Sequence, residues 1–207
     1  MTITYAITVC NEFAEIQRLI SFLQRKKRLE DNIVVLYDAL HGDELIEDFL
    51  RANSINKELS WIKSNFNGDF SEWKNFLNDC CYGDYIFQID ADEIPSEHLI
   101  DSLPEILKGN DSIDVYLVPR INTVEGLTQS HLVKWGWNLN EEGFVNWPDY
   151  QMRIYKNSPE IRWKNKVHEV ISGHKSFANL PMEKEFALQH PKTIARQEKQ
   201  NAYYENL

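Results

Sequence analysis

Through residues 3–119, five short apolar runs rich in β-branched residues alternate with four segments of helical period. The runs are Ile3–Cys10, Asn32–Asp38, Glu58–Lys63, Asp84–Asp90 and Ile113–Pro119. Between them, residues 12–28, 43–53, 70–81 and 96–107 place apolar side chains three and four apart, as one buried helix face requires. Strands that alternate with helices predict an α/β fold: a mainly parallel, Rossmann-like sheet with helices on both faces. Such sheets bind ligands beyond the carboxyl ends of their strands. The residues to inspect are therefore Cys10-Asn11-Glu12, Asp38-Ala39, Asn65 to Asp69, and Asp90 to Glu93.

From residue 120 the pattern loosens. Residues 120–148 are polar and aromatic without a clear period. Short strand-like pieces follow at 151–156, 160–164, 166–171 and 185–189, then a weakly striped helix at 191–206. We read 1–119 as an α/β half and 120–207 as the C-terminal part of the same domain. The basic run Arg25 to Arg28 closes the first helix, where cations suit the negative end of the dipole.

The 207 residues are 43% hydrophobic and 26% charged, which excludes collagen-like, coiled-coil and disordered classes. No apolar run approaches the roughly 18 residues of a membrane span, and no basic start precedes an apolar stretch. The expected location is the cytoplasm. The net charge of -10 is uneven. Residues 1–150 carry 12 basic against 26 acidic side chains, and residues 151–207 carry 10 against 6. The acidic field speaks against general nucleic-acid binding, while the basic last quarter suits an anion. Cys10, Cys80 and Cys81 have no disulfide or zinc spacing and are expected to be reduced and buried.

The eight glycines are isolated, so neither GxGxxG nor GxxxxGK[ST] occurs. A nucleotide diphosphate on this sheet then needs another counter-charge. Ile89 to Glu93 (IDADE), at a strand end, supplies carboxylates for a divalent cation. Residues two apart on a strand face the same way, so Asp90 and Asp92 can converge on Mg²⁺ or Mn²⁺.

The stretch Phe66 to Phe76 (FNGDFSEWKNF), with Gly83 to Glu93 (GDYIFQIDADE), resembles the central segment of family-two glycosyltransferases of GT-A fold. Cys10-Asn11-Glu12 is similar to that family's first nucleotide-contacting loop. Pro148 to Tyr155 (PDYQMRIY) and Lys166 to Glu169 (KVHE) resemble later motifs of small bacterial and phage members, including the lipopolysaccharide-core type. The resemblance runs from about residue 3 to residue 172 and loosely to residue 207, and it implies a nucleotide-sugar-binding half at 1–119 and an acceptor-side, C-terminal part of the same domain at 120–207.

It implies a hexosyl- or pentosyltransferase that uses a nucleotide-diphosphate sugar, most simply a UDP-sugar, with Mn²⁺ or Mg²⁺ and inversion at the anomeric carbon. By the same resemblance, Cys10, Asn11, Glu12, Asp38, Lys74 and Asp90 contact the donor, and Asp92 ligates the metal. Asp90 meets the ribose or the metal through water, and His168 or His190 completes the metal shell. Asp149 matches the family's base, although Pro148 replaces the usual Glu before it; Glu169 and Glu93 are the reserves. A salt bridge from Asp149 to Arg153 is the competing assignment. Arg153, Lys164 and Lys166 are candidates to assist the diphosphate.

Trp135, Trp137, Phe144 and Trp147 offer flat faces for an acceptor sugar, or a small core under a long loop. A saccharide is the expected acceptor, and a hydroxylated base in phage DNA stays open. Two rivals remain: a non-catalytic nucleotide-sugar- or carbohydrate-binding protein of this fold, and a nucleotidyltransferase. The second would want a glycine-rich, basic first loop, which Cys10 to Phe13 is not.

Overall fold

A computed structural model describes residues 1–55 and 59–204. The chain runs β1 (Ile3–Val9), α1 (Phe13–Lys26), β2 (Asn32–Asp38), α2 (Glu44–Ser54), β3 (Ser60–Ser64), α3 (Phe70–Asp79), β4 (Tyr85–Asp90) and β5 (Ile94–Pro95). It continues α4 (Glu97–Gly109), β6 (Val115–Val118), β7 (Arg120–Glu125), α5 (Gln129–Trp135) and β8 (Gln151–Lys156). The remainder is β9 (Arg162–Lys164), β10 (Val170–Ser172), β11 (Phe177–Asn179), β12 (Leu188–Thr193) and α6 (Ile194–Tyr204).

Seven strands form the central sheet in the order β11-β6-β8-β4-β1-β2-β3. β1 pairs in parallel with both β2 and β4, and β8 alone runs antiparallel to its neighbours. Both faces are covered, as the continuous apolar runs require. On one face Tyr5, Ile7 and Phe87 pack with Leu19 and Leu23 of α1 and Leu99 and Leu103 of α4. On the other, Ala6, Val34 and Ile86 meet Trp73 and Leu77 of α3 and Trp163 of β9. Asp43, Asp69 and Ser96 cap the starts of α2, α3 and α4 with side-chain oxygens that accept from backbone N–H groups. At the end of α1, Lys26 meets Glu97 and Arg28 meets Asp31, in keeping with a helix-end role for the basic run.

Strand order reverses at β1: β2 lies on one side of it and β4 on the other. The crevice beyond their carboxyl ends is where a doubly wound sheet receives ligands. A second sheet, β5-β12-β7, stands over it. No helix among the described residues is long and apolar enough to cross a membrane.

Several elements depart from the sequence expectations. The run at 113–119 forms β6 but does not lie beside β4, because β8 inserts between them. The aperiodic stretch 120–148 contains β7 and α5. β7 (RINTVE) escapes periodicity because its two apolar residues, Ile121 and Val124, fall on opposite faces, while Arg120 and Asn122 serve polar contacts. Residues 166–169 are a bend rather than a strand, β11 went unforeseen, and β12 begins after a 3-10 turn at Lys184–Phe186. The expected helix at 191–206 starts at Ile194, and its last residues lie outside the described residues, as does Glu58 of the third expected strand.

The three thiols are free but only partly buried, because each sits at the end of an element. Burial pushes the Cys81 thiol up to about 12. Burial, with Glu12 and Asp38 adding repulsion, pushes Cys10 up to about 12 as well. Neither is a nucleophile at neutral pH.

Gly83, at the entry to β4, lies against the backbone of β1. A Cβ there would stand 2.6 Å from the Thr4 nitrogen and 2.9 Å from the Ile3 carbonyl carbon. Backbone in a sheet cannot step aside cheaply. Gly83→Ala should therefore lower the free energy of unfolding by about 1–3 kcal/mol, read from urea melts. A melt that matches wild type would mean that the strand entry is looser than drawn here.

Candidate functional site

The carboxyl edge gathers charged groups from distant parts of the chain. β4 ends at Asp90, and the turn after it carries Asp92 and Glu93. β8 runs antiparallel, so its start lies beside the end of β4 and brings Arg153 there. The second sheet delivers Arg120 and Asn122 from β7 and His190 and Lys192 from β12.

Glu93 is the hub. It is fully buried. Its Oε1 accepts from Arg153 Nη2 at 2.6 Å and Arg120 Nη1 at 3.0 Å, and its Oε2 accepts from the Asp90 N–H at 3.1 Å. Named in the sequence as a reserve base, Glu93 is instead buried and bonded through both oxygens to protein groups. Arg153 Nη2 also donates to Asp90 Oδ2 at 2.6 Å. Arg153 thus serves Asp90 and Glu93, and the guanidinium that meets Asp149 is that of Arg120. Burial alone would raise the Asp90 pKa, but Arg153 and Lys74 outweigh it and hold the carboxyl well below its usual range. Burial works to lower the Arg153 pKa, yet Asp90 and Glu93 push it up instead.

Lys74, on the buried side of α3, lies 3.8 Å from Asp90 Oδ1, pairs with Glu169, and sits over the Trp163 ring at 4.7 Å. Glu169, the other reserve base, is therefore engaged with a cation. Lys164 and Lys166 are exposed around the turn after β9.

Asp92 faces a different set. His190 Nε2 is 3.3 Å from its Oδ2, Arg196 Nη2 is 3.4 Å away and Lys192 Nζ 3.9 Å. Burial would raise the Asp92 pKa, but the His190 bond and charge and Lys192 hold it well below normal. For His190 the balance reverses: burial lowers its pKa against the pull of Asp92. Arg196, on α6, also reaches Glu12 at 3.3 Å and Glu15 at 2.7 Å. Glu12 in turn accepts from the N–H groups of Cys10 at 2.9 Å and Asn11 at 3.1 Å. Beside Lys192 and Arg196 a cleft of about 490 Å³ opens, lined also by Glu15, Thr123 and Glu125.

Asp149 precedes β8 with φ of 35°, a left-handed conformation that Asp and Asn tolerate better than other residues. Its Oδ2 accepts from Arg120 Nε at 2.9 Å, Arg120 Nη2 at 2.8 Å and Asn122 Nδ2 at 2.6 Å. Its Oδ1 accepts from Gln151 Nε2 at 2.9 Å. Burial is outweighed by Arg120, Asn122 and Gln151, so Asp149 is an anion at neutral pH.

Asp38 is tied into its own turn. It accepts from the N–H groups of Leu40 at 2.9 Å and Phe66 at 3.1 Å, and from His41 at 2.8 Å. His168 is exposed in the bend between β9 and β10 with φ of 54°, whereas His190 is the histidine that meets Asp92. The aromatic residues form ring pairs: Trp135 with Trp137, and Phe144 with Trp147.

Among the described residues, no group of three His, Cys, Asp or Glu side chains is arranged to hold a metal ion. Asp92 and His190 face each other as two potential ligands. Such a pair fits Mn²⁺ or Mg²⁺ only when substrate phosphates and water fill the other positions, as those ions commonly allow.

The sequence profile of glycosyl transferase family 2 matches residues 4–178. The chain belongs to that family. No curated protein sequence matches this family-two chain. Among solved structures it is similar to S. aureus TarS residues 1–349, with a TM-score of 0.63 and 14% identity over 92% of this chain. The same TarS fragment in complex with UDP-GlcNAc matches with a TM-score of 0.62, 13% identity and 93% of this chain covered. Its complex with UDP matches with a TM-score of 0.61 and 14% identity over 92% of this chain. The likeness is one of fold, and that fold is GT-A. The chain spans about 60% of the length of that TarS fragment.

Arg120, Asn122, Lys192 and Arg196 carry no signal for this site in the sequence: of β7, β12 and α6, only His190 on β12 stands at a position the family resemblance marks.

The ion network predicts a stability effect. Arg153→Met strands Glu93 and Asp90 without their shared cation. The variant should lose about 3–5 kcal/mol in chemical denaturation. Adding Glu93→Gln should recover part of that loss; no recovery would mean that Arg153 contributes by packing alone.

Proposed function

We propose that this chain is an inverting, metal-assisted glycosyltransferase that takes a sugar from a nucleoside-diphosphate donor, UDP-linked by preference, and delivers it to a hydroxyl acceptor. The observation that carries this reading is the pairing of Asp92 with His190 on one side of the crevice and an ionised Asp149 joined to His190 through Asn122. A GT-A sheet whose TarS counterpart has been crystallised with UDP-GlcNAc and with UDP supports the donor class.

Each group then has a task. The loop Cys10 to Glu12 and Asp38 border the nucleoside, and Asp90, steadied by Arg153 and Lys74, meets the ribose. Asp92 and His190 are the residues that would hold Mn²⁺ or Mg²⁺, with His168 in reserve. A bound divalent ion supplies neutralisation of the diphosphate charge that grows as the glycosidic bond breaks. Lys192 and Arg196 flank the same place and share that task. Asp149 takes the proton of the attacking hydroxyl. Three donors saturate its Oδ2, while Oδ1 holds one and keeps a lone pair for the acceptor. The anomeric carbon passes through an oxocarbenium-like state, and attack from the face opposite the diphosphate inverts it. The cleft beside Thr123 and Glu125, and the aromatic pairs of 135–147, are the places for the acceptor, a saccharide in this reading.

The test is nucleoside diphosphate release from a panel of nucleotide sugars with Mn²⁺ and a hydroxylated acceptor. Chelation should stop it, and Asp92→Ala should abolish metal-dependent turnover while the fold survives. Full activity in that variant removes Asp92 from the metal. Asp149→Asn should bind donor nearly as wild type and transfer about 10²–10⁴-fold more slowly. Weakened donor binding instead would move Asp149 to the donor side. Pyrophosphate release would make the protein a nucleotidyltransferase, and donor binding without turnover a non-catalytic binder.

A further inference from the structure

α6 follows β12 without a break and is held over the crevice by one side chain above all. Arg196 Nη1 lies 2.7 Å from Glu15 Oε1, and its Nη2 lies 3.3 Å from Glu12 Oε1 and 3.4 Å from Asp92 Oδ2. A single guanidinium thus ties α6 to α1, to the loop after β1 and to the turn after β4. Lys192 of β12 donates to Gln200, one turn further along the helix, and His131 of α5 stands 3.9 Å from Glu198. Lys199 and Tyr203 come within electrostatic range of Cys10, and Tyr203 of Asp38 as well. The helix therefore runs across the ends of β4, β1 and β2, over residues that the donor reading above gives to the nucleotide.

Charge, more than apolar burial, holds α6 in place. None of its described side chains is buried, whereas α1 buries Ile16, Leu19, Ile20, Phe22 and Leu23. Arg196, Glu12 and Glu15 are all part-exposed, and ion pairs of that kind are individually weak and screened by salt. An element held this way opens at lower cost than the sheet beneath it. We infer that α6 is an autoinhibitory strap. Clasped, Arg196 neutralises Glu12 and Asp92 and keeps the helix over the crevice. A nucleotide enters by drawing that guanidinium from the carboxylates to its diphosphate, which unclasps the helix beyond it. On release Glu12 and Glu15 return to water, and Asp92 keeps His190 and Lys192. The entry half of this rests on the donor reading above; the strap half does not.

Hydrogen exchange read by mass spectrometry tests the strap. Amides of α6 should exchange faster in high salt than in low salt, while those of β1 stay unchanged. Glu15→Gln, a change on α1, should speed α6 exchange in low salt, and Arg196→Gln should speed it further. Graded fraying from Tyr203 backward, indifferent to salt and to Glu15→Gln, overturns the strap. Calorimetry with UDP and Mn²⁺ tests the entry half. Nucleotide and clasp compete for Arg196, so Glu15→Gln should bind UDP about 2–5-fold more tightly than wild type. By reciprocity, UDP should speed α6 exchange relative to Mn²⁺ alone. Unchanged or weaker UDP binding in Glu15→Gln, or unchanged or slower α6 exchange with UDP bound, overturns the inference, because α6 would then be a fixed wall or close upon the nucleotide. If neither protein binds UDP, GDP, CDP or ADP while the salt and Glu15→Gln effects on exchange hold, the donor reading fails and the strap stands.

Discussion

A buried carboxylate held by two guanidinium groups organises this molecule's working edge. Glu93 has no contact with solvent, and an isolated anion there would be prohibitively costly. Arg153 and Arg120 neutralise it, and each has a second carboxylate to serve. Through Arg153 the hub reaches Asp90 at the end of β4, and through Arg120 it reaches Asp149. One buried charge thereby sets the spacing of two others on separate elements. The guanidinium fork suits this work, since its donors diverge in fixed directions, which an ammonium cannot match.

The fold was legible where burial was continuous. β1, β2 and β4 are covered on both faces, and α1 to α4 each bury one stripe, so period and composition announced them. Legibility ended where strands gave their side chains to the site. β7 carries Arg120 and Asn122 on one face, and β12 puts His190 and Lys192 on the face that begins with Leu188, so neither segment reads as apolar alternation although β12 alternates in burial. The insertion of β8 between β4 and β6 is a long-range pairing that no local pattern encodes. In the site, the strand end predicts Asp90 and Asp92 at the carboxyl edge, but Asp92 lies past β4 in the turn, so the two carboxylates meet different partners; the alternative pairing of Asp149 with Arg153 gives way to Arg120. Arg153, four residues away, was the nearest cation in sequence, but on β8 it reaches toward Asp90, and Arg120 comes from another sheet.

The crevice also shows how an acidic chain gathers cations at one place. The excess of acid lies in the first 150 residues, while Arg153, Lys192 and Arg196 come from the basic remainder. Bringing the second sheet and α6 to the edge mixes the two populations at one place. The carboxylates there are held as anions by neighbouring cations, and the cations are spared the full cost of burial by the carboxylates.

The central strand pairs β1 with β2 and β2 with β3 form between near neighbours in sequence, but Asp92 finds its partners about a hundred residues later, at 190, 192 and 196. Synthesis from the amino terminus thus supplies the seven central strands, complete by Asn179, before the groups that ring Asp92. A polypeptide cut just before residue 190 would carry every strand of that sheet and none of the three side chains that face this carboxylate from β12 and α6.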